Sequence, residues 1–358
     1  MATIRPLERG DLPAVSALVR AHLPGWSRNA DVLARNLLDH PWAPDEPRAL
    51  VAVAEDGEIT GSIGAQIRRL RFDDRQLTGV CVSHLVVAPD RRDGAAGAML
   101  VKRLLSGDQD LTWTDSGTDQ VVRIWRMFGA HVDHSRTCDW MLVLRAGRWL
   151  GHVTSTASRQ RGRVGRRAVP VAGLPLHVAR RLVGANANPQ PQPEVAGSTT
   201  TASMIDESLA QISKGVRLRI DHDGPYLEYL FAHLDSLTGP VVRRLVRRRG
   251  QPIGWYAYVA GAVVGRVIHV AAGVREVEAV VADLVSDARS RGVAVLSGRL
   301  EPHLDEPLRR RFAVIGFAQR PMIHARDPEL LATLASSKSL LTEIDLVDSE
   351  WWQAGVVS

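Results

Sequence analysis

From Cys81 to Leu105 the chain passes from a β-branched apolar run, through a turn of small and charged residues, into a helical repeat. Few architectures accommodate that succession. Cys81-Val-Ser-His-Leu-Val-Val-Ala-Pro89 reads as a buried strand, and Ala96, Leu100 and Leu104, beside Val101 and Leu105, mark one face of a helix. The turn between them, Asp90-Arg-Arg-Asp-Gly-Ala-Ala-Gly97, presents backbone N–H groups at the positive end of the helix dipole. Such a turn holds a phosphate or pyrophosphate without a dedicated side chain, because small residues let the anion approach the backbone.

The 358-residue length favours two domains with connectors over one. Hydrophobic residues make up 45%, enough for proper cores. No apolar stretch reaches bilayer length and the first residues lack a signal-peptide apolar segment, so a cytoplasmic protein without a membrane partner is expected. Cys81 and Cys138, both in apolar runs, are read as reduced, buried structural thiols. All but Lys102, Lys214 and Lys338 of the 45 basic residues are arginine, so part of the net charge of +6 reflects codon usage. That charge suits an anionic small-molecule ligand, and also nucleic acid.

The segment Val87-Ala-Pro89-Asp90-Arg91-Arg92-Asp93-Gly94-Ala95-Ala96-Gly97-Ala98-Met-Leu100 resembles the pyrophosphate-loop motif of the GNAT superfamily of acyl-CoA N-acyltransferases. In the preferred register Arg92 is the basic residue of the motif, Ala95 stands for its first glycine and Gly97 is its second. A register shifted by one uses Arg91, Gly94 and Ala96. The resemblance implies acetyl-CoA or another acyl-CoA as donor, held by Leu85, Val86, Val87, Arg91, Arg92, Asp93, Gly94, Ala95, Ala96, Gly97 and Ala98. It further implies that a backbone N–H near Val86 or Val87 polarises the thioester.

The order of elements agrees with that resemblance. A strand at Ile4 precedes a helix from Asp11 to about Leu23 and a second near Asp31–Leu38. Leu50–Ala54 and Ile59–Ile63 flank Asp56-Gly57 as a hairpin, and Ile67–Phe72 reads as a further strand. Beyond the Cys81–Leu105 unit, Leu111–Thr114 is a strand, Thr118–Phe128 a helix and Trp140–Leu144 a strand closing the first half. On that helix family members commonly carry a Tyr four residues before a Gly, where it gives the departing thiolate its proton. Here the position is Trp125, whose indole N–H is too weak an acid. Trp125 is therefore read as an aromatic packed against sheet or cofactor.

Residues 151–203 form a basic Pro/Arg-rich linker with Arg159, Arg161, Arg163, Arg166, Arg167, Arg180 and Arg181 against Glu194, and one short helix around Leu174–Val183. From Met204 the element order repeats. A hairpin (Val241–Arg248, Ile253–Val259) leads to a strand (Val263–Ala271), a helix with stripe Val277, Val280, Val281, Leu284, Val285 and Ala288, and a strand (Val293–Leu296). The second turn, Ala271-Ala-Gly-Val-Arg-Glu276-Val-Glu278, places two acids where a pyrophosphate needs N–H groups. The expected fold is thus α/β (α+β): two tandem GNAT-like domains, each a mixed, largely antiparallel sheet flanked by helices. Residues 1–150 bind acyl-CoA, and residues 204–358, ending in Asp348-Ser-Glu350-Trp351-Trp352, form a degenerate copy.

For chemistry, an alkyl ammonium must lose its proton before it attacks a thioester, which calls for a base. His84, just before the polarising backbone, is the candidate; a satisfied core histidine is the plainer reading. Asp115 ends the next strand and either holds a cationic acceptor or caps the helix near Thr118. Glu301 and His303 occupy the equivalent strand end of the second half and face the acceptor if the halves pack across the cleft. No metal site is expected, since no His, Cys or Asp set has ligand spacing. The acceptor is a small-molecule or peptide amine; the oligomeric state is left open. An aminoacyl-tRNA-dependent transferase, in which the basic linker meets tRNA, and a non-catalytic tandem protein are the alternatives.

Overall fold

The computed structural model describes residues 2–22, 29–46, 48–89, 95–159 and 193–346. The first half runs β1 (Thr3–Pro6), α1 (Leu12–His22), α2 (Ala30–Leu37), β2 (Leu50–Val53), β3 (Ile59–Phe72), β4 (Arg75–Val87), α3 (Ala96–Leu105), β5 (Leu111–Thr114), α4 (Asp119–Met127), β6 (His131–Val132), β7 (Cys138–Val143) and α5 (Ala146–Arg159). The second runs β8 (Val195–Thr199), α6 (Ala202–Asp206), α7 (Leu209–Ile212), β9 (Leu218–Ile220), α8 (Gly224–Thr238), β10 (Val241–Arg248), β11 (Gln251–Ala260), β12 (Val264–Ala272), α9 (Val277–Ser290) and β13 (Val295–Arg299). It ends with α10 (Asp305–Arg310), β14 (Val314–Phe317), β15 (Met322–Ala325), α11 (Pro328–Leu334) and β16 (Ser339–Leu340). The hairpin at Asp56-Gly57 forms as expected, with Gly57 at φ 86°. The separate strand expected at Ile67 is instead the continuation of one long β3, paired with β4 down to Phe72↔Arg75.

The strands make two mostly antiparallel sheets. The first has the order β1-β2-β3-β4-β5-β15-β6, with β9 on the far end of β3 and β16 on β9; the second is β14-β7-β13-β12-β11-β10-β8. The strand at Trp140, expected to close the first half's sheet, lies in the second sheet between β13 and β14. In return β15, from the end of the chain, sits in the first sheet between β5 and β6. The first half thus lends β7 to the second sheet, and the second half lends β9, β15 and β16 to the first. The chain crosses between sheets at 133–138 and at 317–322, where Ala318 N donates to Thr137 O (2.9 Å) and Asp133 N to Pro321 O (2.9 Å).

Helices α3 and α4 cover the outer face of the first sheet, burying Leu100, Val101, Leu104, Val122 and Trp125 against Ile63, Ala65, Val80 and Val82. Helix α9 covers the outer face of the second with the stripe expected from its spacing. Between the sheets lies a third core. It joins Leu70, Phe72, Cys81 and Trp113 of the first sheet to Trp255, Ala257 and Ile268 of the second through Tyr226, Leu227 and Leu230 of α8. That helix starts where Asp223 accepts from Tyr226 N (2.8 Å) with Pro225 in its first turn, and stops at Gly239 (φ 77°). Cys81 is buried as expected, whereas Cys138 is only half-buried; both are free thiols.

Because each sheet contains a strand from the other half, cleaving the chain within 160–192 should leave the two pieces bound. A nicked protein that elutes as one particle on size exclusion, and separates only in denaturant, is the expected result.

Candidate functional site

β4 and β5 run parallel and pair from Gly79↔Leu111 to Val82↔Thr114, and no further. The cause is on the other flank of β4. Its register against β3 shifts between Gly64↔Ser83 and Ser62↔Val86, so His84 and Leu85 together oppose the single residue Ile63. This is a β-bulge, which bends its strand and increases local twist. His84 sits within it at φ 47°, a left-handed conformation uncommon for a residue with a Cβ. Past the bulge β4 leaves β5, and a crevice opens between Ser83–Val87 on one side and Asp115–Gly117 on the other.

The expected donor-holding residues flank this crevice where they are described. Val86 packs on α1 and α2, while Leu85 and Val87 lean on the cluster beneath α3. Ala95 is the N-cap of α3 and makes no side-chain cap bond, so the first-turn amides at Ala96, Gly97 and Ala98 have no side-chain cap from that residue. A Cβ on Gly97 would touch Val87 Cγ2 at 3.4 Å, so a long side chain there would project into the gap between helix and strand. Arg91, Arg92, Asp93 and Gly94 lie outside the described residues, as do the linker arginines from Arg161 to Arg181, the short helix around Leu174–Val183 and Asp348–Trp352. Trp125 is 1% exposed, wedged in the core under α3 and α4.

His84 Nδ1 lies 3.0 Å from Ser83 Oγ, and both residues are buried. Asp115 does not cap α4. Thr118 does, its Oγ1 accepting from Val121 N (3.4 Å). Asp115 instead faces Arg299 of β13, Oδ2 to Nη2 3.9 Å, with Ser116 Oγ donating to its Oδ1 (3.4 Å). No local pattern marks that arginine, because the partner arrives from the other half through the exchanged strands.

The second sheet repeats the geometry. β12 and β13 pair from Val264↔Val295 to Val267↔Gly298, and β12 carries its own shift against β11 between Ala257↔His269 and Tyr258↔Val267. Aligned on the last paired residues, His269 is the counterpart of His84, Arg299 of Asp115, and Glu301 of Gly117. Here the crevice is filled by the chain itself. His303 donates from Nε2 to Val270 O (2.9 Å), spanning the parted strands. The segment Thr342–Asp345, buried throughout, lies along β12: Thr342 Oγ1 meets His269 Nδ1 (2.7 Å) and Glu343 binds Arg266 (2.7 Å), which also holds Asp139 (2.8 Å). Asp345 binds His222 (2.7 Å) and its carbonyl accepts from the buried Arg68 (3.1 Å) of the first sheet. Glu301 and His303 are therefore not exposed to a cleft but enclosed. Nor do Glu276 and Glu278 cap α9: they bind Arg248 (2.9 Å) and Arg311 (2.6 Å).

Enclosure sets the protonation of this filler. Burial lowers His269 to about 3 and His303 to about 4, so both rings are neutral at pH 7. Burial pushes the Glu301 carboxyl up to about 8 against the pull of Arg136 and Arg299, and its Oε2 has no hydrogen-bond partner among the described residues. No group of three or more potential ligands suited to a metal ion occurs among the described residues, and no described helix is long and apolar enough to cross a membrane.

No family model matches this chain and no curated protein does. Solved structures do. A GCN5-related N-acetyltransferase of Anabaena variabilis superposes with a TM-score of 0.62 at 10% identity, over 92% of this chain and 74% of that one. One from Kribbella flavida gives 0.60 at 14% identity, over 92% and 72%. A probable N-acyltransferase of Enterococcus faecalis gives 0.59 at 10%, over 91% and 73%. At such identities the likeness is one of fold, and the chain has the GCN5-related N-acetyltransferase fold across nine-tenths of its length.

A carboxyl whose folded pKa lies above its unfolded value stabilises the fold fully below the unfolded pKa, near 4.5, and loses that contribution as pH rises to about 8. The full loss is on the order of 5 kcal/mol. Glu301→Gln should abolish this part of the pH dependence, so that in urea denaturation the variant gains on the parent between pH 5 and 8. Parallel profiles for the two proteins would refute the assignment.

Proposed function

We propose that the protein transfers an acyl group from acyl-CoA to the amine of a small molecule or peptide, at the crevice of the first sheet. The observation that carries this reading is the contrast between the two crevices. In the second, Glu301, His303 and the 342–345 segment fill the gap and ion-paired acids flank the helix start; in the first, Gly117 replaces Glu301, and Ala95, Ala96, Gly97 and Ala98 begin the helix. Small side chains at that helix start suit a pyrophosphate lying against the backbone. Acyl-CoA when bound supplies the acyl group as a thioester, already activated toward an amine.

The chain's own residues then have three tasks. The backbone of Val86 and Val87 lines the crevice where an N–H would polarise the thioester carbonyl. His84 takes a proton from the acceptor ammonium, leaving the nitrogen lone pair to form the amide bond as the carbon–sulfur bond breaks. Asp115, at the opposite lip, offers a carboxylate to the cationic acceptor. Because Trp125 is both buried and without an acidic proton, the sulfur, leaving with the electron pair, takes its proton from a water molecule, and that water regains one from the nitrogen, which sheds its second proton as the amide forms. The strained backbone at His84 supports a functional role, since a left-handed conformation costs about 1 kcal/mol and persists where surroundings hold it.

Titration calorimetry with CoA should show one site per chain, abolished by Gly97→Glu; two sites, or binding indifferent to that change, would refute the assignment to the first crevice. His84→Gly relieves the left-handed strain and should leave stability equal or higher by up to about 1 kcal/mol, while acyl transfer falls at least about 100-fold. Unchanged turnover would remove His84 as the base.

A further inference from the structure

We propose that Ser83 is a positioning residue that holds His84 with its proton on Nδ1 and its lone pair on Nε2, and that Gly64 exists to make room for that contact. The inference rests on the reading of His84 as the base.

Consecutive residues of a regular strand point to opposite faces, so Ser83 and His84 could not meet in one. The bulge and the left-handed backbone at His84 fold the ring back beside its own neighbour, bringing Nδ1 to 3.0 Å from Ser83 Oγ. The space is supplied from β3. Gly64 pairs directly with Ser83, and a Cβ on it would lie 2.6 Å from Ser83 Oγ and 3.4 Å from His84 Nδ1. Any other residue at 64 would push the hydroxyl off the ring. Three features that a plain strand would not need together, a bulge, a left-handed histidine and a facing glycine, converge on one hydrogen bond.

A serine hydroxyl can donate or accept, and the second sheet indicates which way the bond runs. His269, the counterpart of His84, is met at the same ring atom by the hydroxyl of Thr342. That hydroxyl gives its own proton to Asp345 Oδ2 (3.1 Å), so His269 must be the donor from Nδ1. In both halves, then, the imidazole two residues past the last paired residue is tethered at Nδ1 by a hydroxyl. With Nδ1–H given to Ser83, a proton arriving from an amine goes to Nε2, and the ring works as a base rather than a donor.

The test uses the full chain labelled with 15N-histidine, at alkaline pH, with the His84 signals identified by their loss in His84→Gln. Long-range 1H–15N correlation should show the unprotonated nitrogen of His84 to be Nε2. Ser83→Ala and Gly64→Ala should each shift the ring toward the Nε2–H form that an untethered histidine side chain favours, and Ser83→Thr should restore the parent pattern. A parent ring protonated on Nε2, or a pattern unmoved by Ser83→Ala, overturns the proposal. CoA calorimetry on the same samples separates this from the wider reading: the variants should bind CoA as the parent does, whereas a parent that binds none overturns acyl transfer itself, whatever the tautomer.

Discussion

Two parallel strands that pair for four residues and then part are the constraint on which the rest of this molecule depends. Parallel strands normally continue side by side as long as their hydrogen bonds do, so the parting has to be forced. On β4 it is forced by two residues opposing one, with His84 absorbing the change in direction through a backbone that costs energy to hold. The same device recurs at Ile268 on β12. Both sheets therefore contain a crevice, and among the described residues what distinguishes them is what stands at the mouth: glycine and alanine in the first half, a buried acid, a histidine and the chain's own 342–345 segment in the second.

The exchange of β7 and β15 explains how so many charged groups come to be buried. Arg68, Arg136, Arg266 and Arg299 are all enclosed, each among partners drawn from distant parts of the chain. Arg136 alone gathers Asp133 (2.9 Å), Leu334 O (3.0 Å) and Ser339 Oγ (2.9 Å). Buried ion pairs add little net stability over apolar packing, but breaking one leaves a charge with nothing to offset it, so they penalise any other arrangement of the sheets. The crevice of the first half inherits this arrangement. Arg299 opposite Asp115 belongs to the second half, so neither half forms the lip of the site alone.

Much of the architecture was legible in local patterns. The apolar stripe of α9, the Asp-Gly hairpin, and the strand and the helix on either side of residues 90–94 are short-range signals, and each formed as its spacing implies. What the residues did not reveal is long-range. The strand at Trp140 has the same composition whichever sheet receives it, and nothing in Met322–Ala325 distinguishes the first sheet as its destination. At the site, His84 stood out as a titratable group in an apolar run. Its bulge did not, because the alternation of Val82, Ser83, His84 and Leu85 contains no glycine to mark it. The role of Thr342–Asp345 was equally hidden: a Thr-Glu-Ile-Asp segment reads as exposed, and its burial follows from arginines and histidines that only the fold assembles.

Amide hydrogen exchange with and without CoA addresses the central claim most directly, since it reports both crevices in one experiment. If the first sheet's crevice is the acyl-CoA site, slowed exchange should be confined to residues 84–88 and the first turn of α3 at 96–98, with 268–280 unchanged. Protection around 273–280, or none at either helix start, would contradict the account.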